Sequence, residues 1–264
     1  MKMQSILSNQ AIIIASFGSV DSKVRSQTIE ALFIDIKSAF KNFEVRQAYT
    51  SNFIRRKLKL QGIEILSIEE QIEALKTEGI EKIIILPTHL TPGEEFENKI
   101  LPFEDENIIV LPPLFSISAD TEFDKFSFNT ILNCFKVLDN EELVLIGHGS
   151  PHRHNPVYEN LQNLADSKNL KIHIGVIEPS DTPNFDDVFK RLQKNKATDI
   201  LIAPLLFNGG THISSDIAGD SDSWKSRLLE KGFHIRICTD GLGSFENFRQ
   251  LYIKRLMNWL DKNF

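Results

Sequence analysis

A gap-free internal repeat limits what this chain can fold into more than any other feature of its sequence. Residues 68–87 can be laid on residues 185–204, and in both stretches apolar residues at helical spacing precede an apolar run that ends in proline. Any two strand–helix units have a similar spacing of apolar residues. Strand-end prolines at matching positions are harder to explain by chance and favour a duplicated unit. The paired positions are Ile68 with Phe185, Ile72 with Phe189, Leu75 with Leu192, and Pro87 with Pro204.

The repeat continues beyond these stretches and distinguishes the two halves chemically. The second half carries histidines where the first carries Phe17 and Glu95. We therefore expect two similar halves that face each other across a cleft, with the richer chemistry on the second. Continued in the same register, Gly93 meets Gly210 and Glu95 meets His212. At the first strand end of each half, Ser16-Phe17-Gly18-Ser19 matches Gly147-His148-Gly149-Ser150.

Strands that alternate with amphipathic helices predict right-handed βαβ units and parallel sheets. The expected fold class is α/β, with two Rossmann-like halves, each a four-stranded parallel sheet flanked by helices. Because Pro112-Pro113 interrupts the pattern, we place the halves at residues 1–118 and 119–264, and leave open that the last helix packs on the first half. One helix, capped by Asp21 or Ser22, is expected to carry the apolar stripe that ends at Phe40. The expected strands are Ala11–Ala15, Val45–Tyr49, Lys82–Pro87, Asn107–Leu111, Leu143–Ile146, Lys171–Val176, Asp199–Ala203 and His234–Ile237.

The stretch Leu143–Ile146 reads as a strand buried on both faces, and it stops at Gly147-His148-Gly149. Glycines there allow a sharp turn and the close approach of a ligand. His148 should therefore lie at the carboxyl end of a central strand, the edge at which open α/β sheets bind ligands. Taken alone, a hydrogen-bonded turn histidine is an equally open interpretation.

Three strand ends of the second half carry groups that can bind a metal ion. His148, Glu178 and His212 each follow an expected strand of one parallel sheet, so their side chains can converge at its carboxyl edge. Two imidazoles and a carboxylate with open positions suit a borderline divalent ion such as Co²⁺, Ni²⁺, Fe²⁺ or Zn²⁺. His152 and His154 lie nearby, either in a solvated loop or as groups that hand a metal ion inward.

Other catalytic motifs do not occur in the sequence. There is no His-Glu-x-x-His, no complete Gly-x-Gly-x-x-Gly and no Walker A sequence, which argues against a zincin, a nicotinamide enzyme and the use of ATP. Gly149-Ser150 also lacks the Gly-x-Ser-x-Gly of a nucleophile elbow.

The composition is that of a globular protein without nucleic-acid or membrane character. The 264 residues are 41% hydrophobic and 25% charged, and the net charge of −6 argues against a general nucleic-acid binder. No apolar run approaches membrane-spanning length, and Met1–Gln10 lacks a signal-peptide pattern, so we expect a cytoplasmic protein. Cys134 and Cys238 are expected to be free thiols.

Several motifs together resemble one known family. They are Gly-His-Gly-Ser at 147–150, Gly-Val-Ile-Glu at 175–178, Gly-Gly-Thr-His at 209–212, Gly-Asp-Ser-Asp-Ser-Trp-Lys at 219–225, Thr50-Ser51 with Arg56-Lys57-Leu58, the 89–97 loop and Gly241-Leu242-Gly243. In this order, over nearly the whole chain, they resemble the anaerobic sirohydrochlorin cobaltochelatases of the CbiK type. The resemblance implies a class II chelatase fold that inserts Co²⁺ into a tetrapyrrole without ATP. His148, Glu178 and His212 match the positions at which that family binds its metal.

The resemblance also implies roles for individual residues in the insertion of Co²⁺ into sirohydrochlorin or precorrin-2 in the anaerobic cobalamin pathway. His148 is expected to be a metal ligand and a proton acceptor, Glu178 a ligand with a catalytic role, and His212 a third ligand. The partners are then a divalent metal and a small polycarboxylate tetrapyrrole, with no nucleotide, and Ni²⁺, Fe²⁺ or Zn²⁺ can occupy the same site. Contacts to the tetrapyrrole are assigned to Ser16, Phe17, Ser19, Thr50, Ser51, Arg56, His89 and Glu95.

Other functions stay open at this point. One is a ferrochelatase or nickel chelatase of the same fold, a second is a tetrapyrrole or metal carrier without turnover, and a third is a periplasmic-type ligand-binding protein with two lobes. Asp220, Asp222 and Trp224 suit capping and core packing as well as catalysis. The sequence is compatible with a homo-oligomer and does not fix the oligomeric state.

Overall fold

The computed structural model describes residues 9–210 and 212–263, and of His212 the backbone alone. The described part divides into two compact units. The first takes the chain up to Leu114 and resumes at Arg249, and the second is Phe115–Phe248. Most of the amino-terminal segment 1–10, which lacks a signal-peptide pattern, lies outside the described residues. Within them, no helix combines the length and the apolar character needed to cross a bilayer.

The first unit is built on a parallel sheet in the order β2-β1-β3-β4. The flanking helices bury apolar side chains against both faces of this sheet. The last helix, α10 (Glu246–Asn263), joins this unit from Arg249 onward, and Tyr252 Oη donates to Thr88 O at 3.0 Å. The elements of the first unit are β1 (Gln10–Ser16), α1 (Ser22–Gln27), α2 (Ile29–Ala39), β2 (Glu44–Tyr49), α3 (Asn52–Leu60), α4 (Ile68–Thr77), β3 (Lys82–Pro87), α5 (Glu94–Lys99), a 3₁₀ turn (Leu101–Phe103) and β4 (Ile108–Val110).

The second unit repeats this architecture around a sheet in the order β6-β5-β7-β8. All its strand pairs are parallel, as are those of the first sheet. The predicted fold class of two four-stranded parallel sheets flanked by helices is thus confirmed in the described residues. The elements are α6 (Glu122–Leu132), β5 (Glu141–Gly147), α7 (Val157–Ser167), β6 (Ile172–Val176), α8 (Phe185–Asn195), β7 (Asp199–Pro204), a π-helical segment (His212–Ile217), α9 (Trp224–Glu230), β8 (His234–Ile237) and a 3₁₀ turn (Leu242–Ser244).

The internal repeat is visible in the helices that precede β3 and β7. Ser67 caps α4 in a capping box with Glu70, and Asn184 caps α8 in a capping box with Asp187. In each box the cap side chain accepts from a backbone N–H and the acidic side chain accepts from the cap residue, so both helices start by the same mechanism.

The repeat is also visible in the pairing of the strands. Pro87 lies beside Ala15 in the first sheet, and Pro204 lies beside Ile146 in the second. This register places His148 at the position that Phe17 occupies in the first unit. The matched architecture supports a duplicated unit.

The structure differs from the sequence prediction at the first helix, which is broken at Thr28. The Thr28 hydroxyl donates to Val24 O at 2.6 Å, and its backbone, at φ −118° and ψ −84°, leaves the helical region. The apolar stripe continues on α2 after the break, so periodicity alone could not show it. Strand β4 starts one residue later than predicted, because Asp105 Oδ1 accepts from Asn107 N at 2.7 Å and draws that residue into a turn, and it ends one residue earlier, at Val110.

Candidate metal and substrate site

The sheet of the second unit places three loops side by side at its carboxyl edge. Strand β5 lies between β6 and β7, and the chain leaves β5 for one neighbour and returns on the other side. Such a change of direction is where open α/β sheets bind ligands. His148 follows β5, Glu178 follows β6, and His212 follows β7.

His148 and Glu178 are held next to each other by the backbone. Glu178 N donates to His148 O at 3.0 Å, which continues the β5–β6 ladder past the end of both strands. Gly149 has φ +77°, and a Cβ on it would lie 3.1 Å from Glu178 Cβ and 2.9 Å from Val176 Cβ. Only glycine allows the two loops to approach this closely without displacement.

The His148 side chain is half-buried and lies against its own loop. Its Nδ1 is 3.2 Å from Gly149 O, a contact that is made when Nδ1 carries the proton. The lone pair of the neutral ring then lies on Nε2. Neutral imidazole nitrogens and carboxylates are ligands for divalent transition metals, so His148 with Glu178 can contribute two ligands at this edge.

His212 is the first residue of the π-helical segment that follows β7. Ala218 N donates to Ile213 O at 2.8 Å, the wide spacing of a π-helix, a form that is frequent at functional sites. The side chain of His212 lies outside the described part of the structure. Among the described residues, no group of three metal-binding side chains converges; the His148–Glu178–His212 set therefore stays a prediction.

The corresponding edge of the first unit is rich in hydroxyl groups, and most of these already accept hydrogen bonds from the backbone. The buried hydroxyls of Ser16, Ser19 and Ser51 accept from backbone N–H groups at 3.4, 3.2 and 3.4 Å. Phe17, which takes the place of His148, leaves 45% of its surface exposed. Its ring is therefore available for an apolar contact.

Thr50, His89 and Glu95 form a second cluster at the edge of the first unit. Thr50 Oγ1 donates to Glu95 Oε1 at 2.6 Å, and Lys99 Nζ lies 2.9 Å from Glu95 Oε2. Nδ1 of His89 is buried and has no hydrogen-bond partner among the described residues, and burial lowers the pKa of this histidine to about 4. His89 is therefore neutral at pH 7 and can offer a hydrogen bond rather than a charge.

The basic segment of the sequence forms the helix α3, with Arg56 on its exposed side. Arg55 Nη1 pairs with Glu70 at 2.9 Å, and Lys57 Nζ lies 4.5 Å from the ring centre of Phe53. Arg56 lines an open pocket and forms no ion pair with any described residue. Its charge is thus the one in the Arg55–Lys57 run that is most accessible to an anion.

The residues of the Asp-Ser-Trp-Lys run have structural positions. Trp224 is 4% exposed, and its indole fills the space beside Gly175 of β6, where a Cβ would lie 2.5 Å from the ring. Asp220 pairs with Lys225 at 3.1 Å. The position of Trp224 favours the core-packing alternative that the sequence left open, and Asp220 makes a local ion pair.

One well-connected residue, Asp181, was missed by the sequence analysis. It is buried beside the predicted site, and its carboxylate accepts from Ser150 N at 2.9 Å and lies 2.7 Å from His154 Nδ1. The sequence could hardly have indicated it. Aspartate is common in turns of every kind, so Asp181 after Glu178-Pro179-Ser180 does not stand out. His154 is therefore a partner of this carboxylate rather than a freely solvated side chain.

Comparison with known proteins agrees with the α/β fold. A family model described as cobalt chelatase (CbiK) matches residues 10–261. The chain belongs to the cobalt chelatase (CbiK) family. The sirohydrochlorin cobaltochelatase CbiKC of Nitratidesulfovibrio vulgaris is 27% identical over 95% of this chain and 90% of that protein. The sirohydrochlorin cobaltochelatase of Salmonella typhimurium is 24% identical over 94% of this chain and 95% of that protein.

Two solved structures share the fold. SirB from Bacillus subtilis with Fe³⁺ superposes with a TM-score of 0.61 at 17% identity, covering 95% of both chains. CbiX, the terminal enzyme for biosynthesis of siroheme in denitrifying bacteria, gives a TM-score of 0.54 at 15% identity, covering 94% of this chain and 98% of its own. At these identities the likeness shows the fold alone.

Proposed function

We propose that this chain inserts Co²⁺ into sirohydrochlorin, or into precorrin-2, without a nucleotide, in the anaerobic cobalamin pathway. The observation that supports this most directly is the meeting of His148 and Glu178 at the carboxyl edge of the second sheet. The membership of the chain in a cobalt chelatase family supports the metal, and the names of its relatives support the tetrapyrrole.

In this proposal His148, Glu178 and His212 hold the incoming Co²⁺, which is a substrate, and leave other positions open. Ni²⁺, Fe²⁺ or Zn²⁺ would occupy the same ligands, because the Irving–Williams order makes the available metal decisive. Insertion forms bonds from the metal to the macrocycle nitrogens and releases two pyrrole protons. A His148 ring that has given up the metal regains its lone pair and accepts one of these protons, and Glu178 accepts the other.

The tetrapyrrole is a polycarboxylate, and the residues assigned to it lie on the first unit. Arg56 supplies a cation, and Phe17 supplies an apolar contact to the macrocycle. Ser16, Ser19, Thr50, Ser51, His89 and Glu95 supply hydrogen bonds. We place the protein in the cytoplasm, with no partner of nucleic acid or membrane, and regard a homo-oligomer as compatible with this function.

The test is anaerobic insertion of Co²⁺ into sirohydrochlorin, followed by absorption without added nucleotide. His148→Ala should abolish most of the rate, because it removes both a ligand and a proton acceptor. His234→Ala is the matched control, since this histidine begins β8 at the opposite edge of the same sheet and is 80% exposed. A His148→Ala enzyme that inserts cobalt at the wild-type rate would overturn the proposal. So would a wild-type rate equal to the spontaneous reaction, which is the result expected of a carrier.

A further inference from the structure

Asp181 is a carboxylate without exposure to solvent whose hydrogen-bonding capacity is filled by the chain around it. It is 1% exposed, and its Oδ2 accepts from Ser150 N at 2.9 Å. Its Oδ1 accepts from Thr182 N at 2.8 Å, Asn155 N at 3.2 Å and His154 Nδ1 at 2.7 Å. A carboxylate can accept about four hydrogen bonds, so this acceptor is saturated.

These bonds join the two loops that carry His148 and Glu178. At one end Glu178 N donates to His148 O at 3.0 Å, and at the other Ser150 N donates to the Asp181 carboxylate. The turn between them is closed by Asp181 N, which donates to Glu178 O at 3.1 Å. Two hydrogen bonds therefore join the segments 148–150 and 178–181, one at His148 and Glu178 and the other at Ser150 and Asp181.

Position 181 requires a side chain that accepts hydrogen bonds and donates none. All four partners of Asp181 present N–H groups, and leaving a buried donor without an acceptor costs about 1–3 kcal/mol. An asparagine would keep one oxygen, but its amide nitrogen would face an N–H group. With the oxygen turned toward the three donors at Oδ1, the group left unpaired is Ser150 N, on the loop that carries His148.

We infer that Asp181 is a positioning residue that fixes the distance between the His148 and Glu178 ligands. The inference rests on the proposed function, because it assumes that these two side chains bind the incoming metal. Asp181 is not one of the proposed ligands, because its carboxylate is buried and already accepts four hydrogen bonds. Without Asp181, the distance between the His148 and Glu178 side chains should increase or become variable. The proposed tetrapyrrole contacts, which lie on the first unit, should stay intact.

The experiment compares Asp181→Asn with Asp124→Asn in a titration with Co²⁺ alone, followed by the visible absorption of the bound ion. Asp124 is a matched control, because it is also 1% exposed and accepts four hydrogen bonds, from the N–H and hydroxyl groups of Ser116 and Thr121. It lies in the same unit but in the first turn of α6, an element that carries none of the proposed ligands. Both variants should lose free energy of unfolding.

Only Asp181→Asn should weaken Co²⁺ binding, by roughly 10–100-fold, the range typical of residues that orient metal ligands. Its absorption bands should also shift, and the tetrapyrrole KM should not change. Equal Kd values for wild type and Asp181→Asn would overturn the inference, as would an equal weakening in Asp124→Asn. His148→Ala belongs in the same titration, because wild-type affinity in that variant would mean that the proposed site itself is wrong.

A second variant covers the case in which Asp181→Asn does not fold. His154→Ala removes a single donor to Asp181 from a side chain that is 45% exposed, so folding should be retained. A smaller weakening of Co²⁺ binding at an unchanged unfolding temperature supports the positioning role. An unchanged Kd overturns it.

Discussion

Nε2 of His173 lies 2.6 Å from Oε2 of Glu142, and both side chains are buried at the amino-terminal end of the β5–β6 pair. Arg191 Nε donates to His173 Nδ1 at 3.3 Å, and Asn195 Nδ2 donates to Glu142 Oε2 at 3.0 Å. Because Nδ1 accepts from a guanidinium, the imidazole proton lies on Nε2 and points to Glu142. This neutral histidine sits at the edge of the sheet opposite to His148, so it affects stability without touching the proposed site.

We expect the free energy of unfolding to fall as the pH drops below about 6.5, the ordinary pKa of histidine. Burial lowers the pKa of His173; Glu142 and Asp166 oppose this shift and Arg191 adds to it. The unfolded chain then binds a proton at a higher pH than the folded chain does. Stability is therefore complete above the unfolded pKa and declines toward the folded one. His89 adds a decline of the same sign, because burial lowers its pKa to about 4.

Urea denaturation of wild type and His173→Gln at several pH values between about 7.5 and 5 checks this expectation. Glutamine can donate to Glu142 and accept from Arg191 but does not titrate, so the pH dependence should become shallower. Each unit of pKa difference removed corresponds to about 1.4 kcal/mol. Identical slopes in wild type and His173→Gln would contradict the assignment.

Gly149→Ala should reduce both stability and cobalt insertion. Its φ of +77° costs an alanine about 1–2 kcal/mol, and the new Cβ would press on Val176 and Glu178. Gly62→Ala separates the two effects, because Gly62 has the same φ and no atom within 4 Å of the added Cβ. Thermal unfolding should show the larger loss for Gly149→Ala, and the insertion assay should show a loss for that variant alone. A normal insertion rate in Gly149→Ala would mean that the close approach to Glu178 is unimportant.

The sequence predicts the two sheets well because their signals are local. Strand β3 has the predicted bounds, since an apolar run between a helix cap at Ser67 and the strand-end Pro87 leaves little freedom. The break at Thr28 is different. There a hydroxyl competes for a helical carbonyl while the apolar stripe continues, so composition gives no sign of it.

The candidate site is predictable in part for a related reason. His148 and Glu178 stand at the ends of adjacent parallel strands, and topology alone brings such positions together. Asp181 depends on contacts with Ser150 and with His154, which exist only after the loops have folded. An aspartate in a turn carries no mark of such a role in the sequence.

Arg56→Ala should raise the tetrapyrrole KM with a smaller effect on kcat. Arg56 is an exposed cation of α3 that forms no ion pair with any described residue, and loss of an attraction that is equal in ground and transition states raises KM. Lys57→Ala is the comparison, since the Lys57 ammonium lies over the Phe53 ring, 4.5 Å from its centre. Steady-state kinetics at saturating Co²⁺ with varied sirohydrochlorin should show the rise for Arg56→Ala only. A similar rise in both variants would argue that the helix attracts the polycarboxylate through its overall charge.

His212→Ala should separate metal binding from proton transfer. As a ligand only, His212 should affect the Co²⁺ concentration that gives half the maximal rate. This concentration should rise roughly 100-fold or more, since loss of even a partner that merely orients a ligand costs 10–100-fold. His148→Ala should in addition lower kcat at saturating Co²⁺, because a general base typically contributes about 10²–10⁴-fold. Rates measured over a Co²⁺ series at fixed sirohydrochlorin distinguish the two patterns. If excess Co²⁺ restores His148→Ala but not His212→Ala, the proton acceptor lies on the π-helical segment rather than at the end of β5.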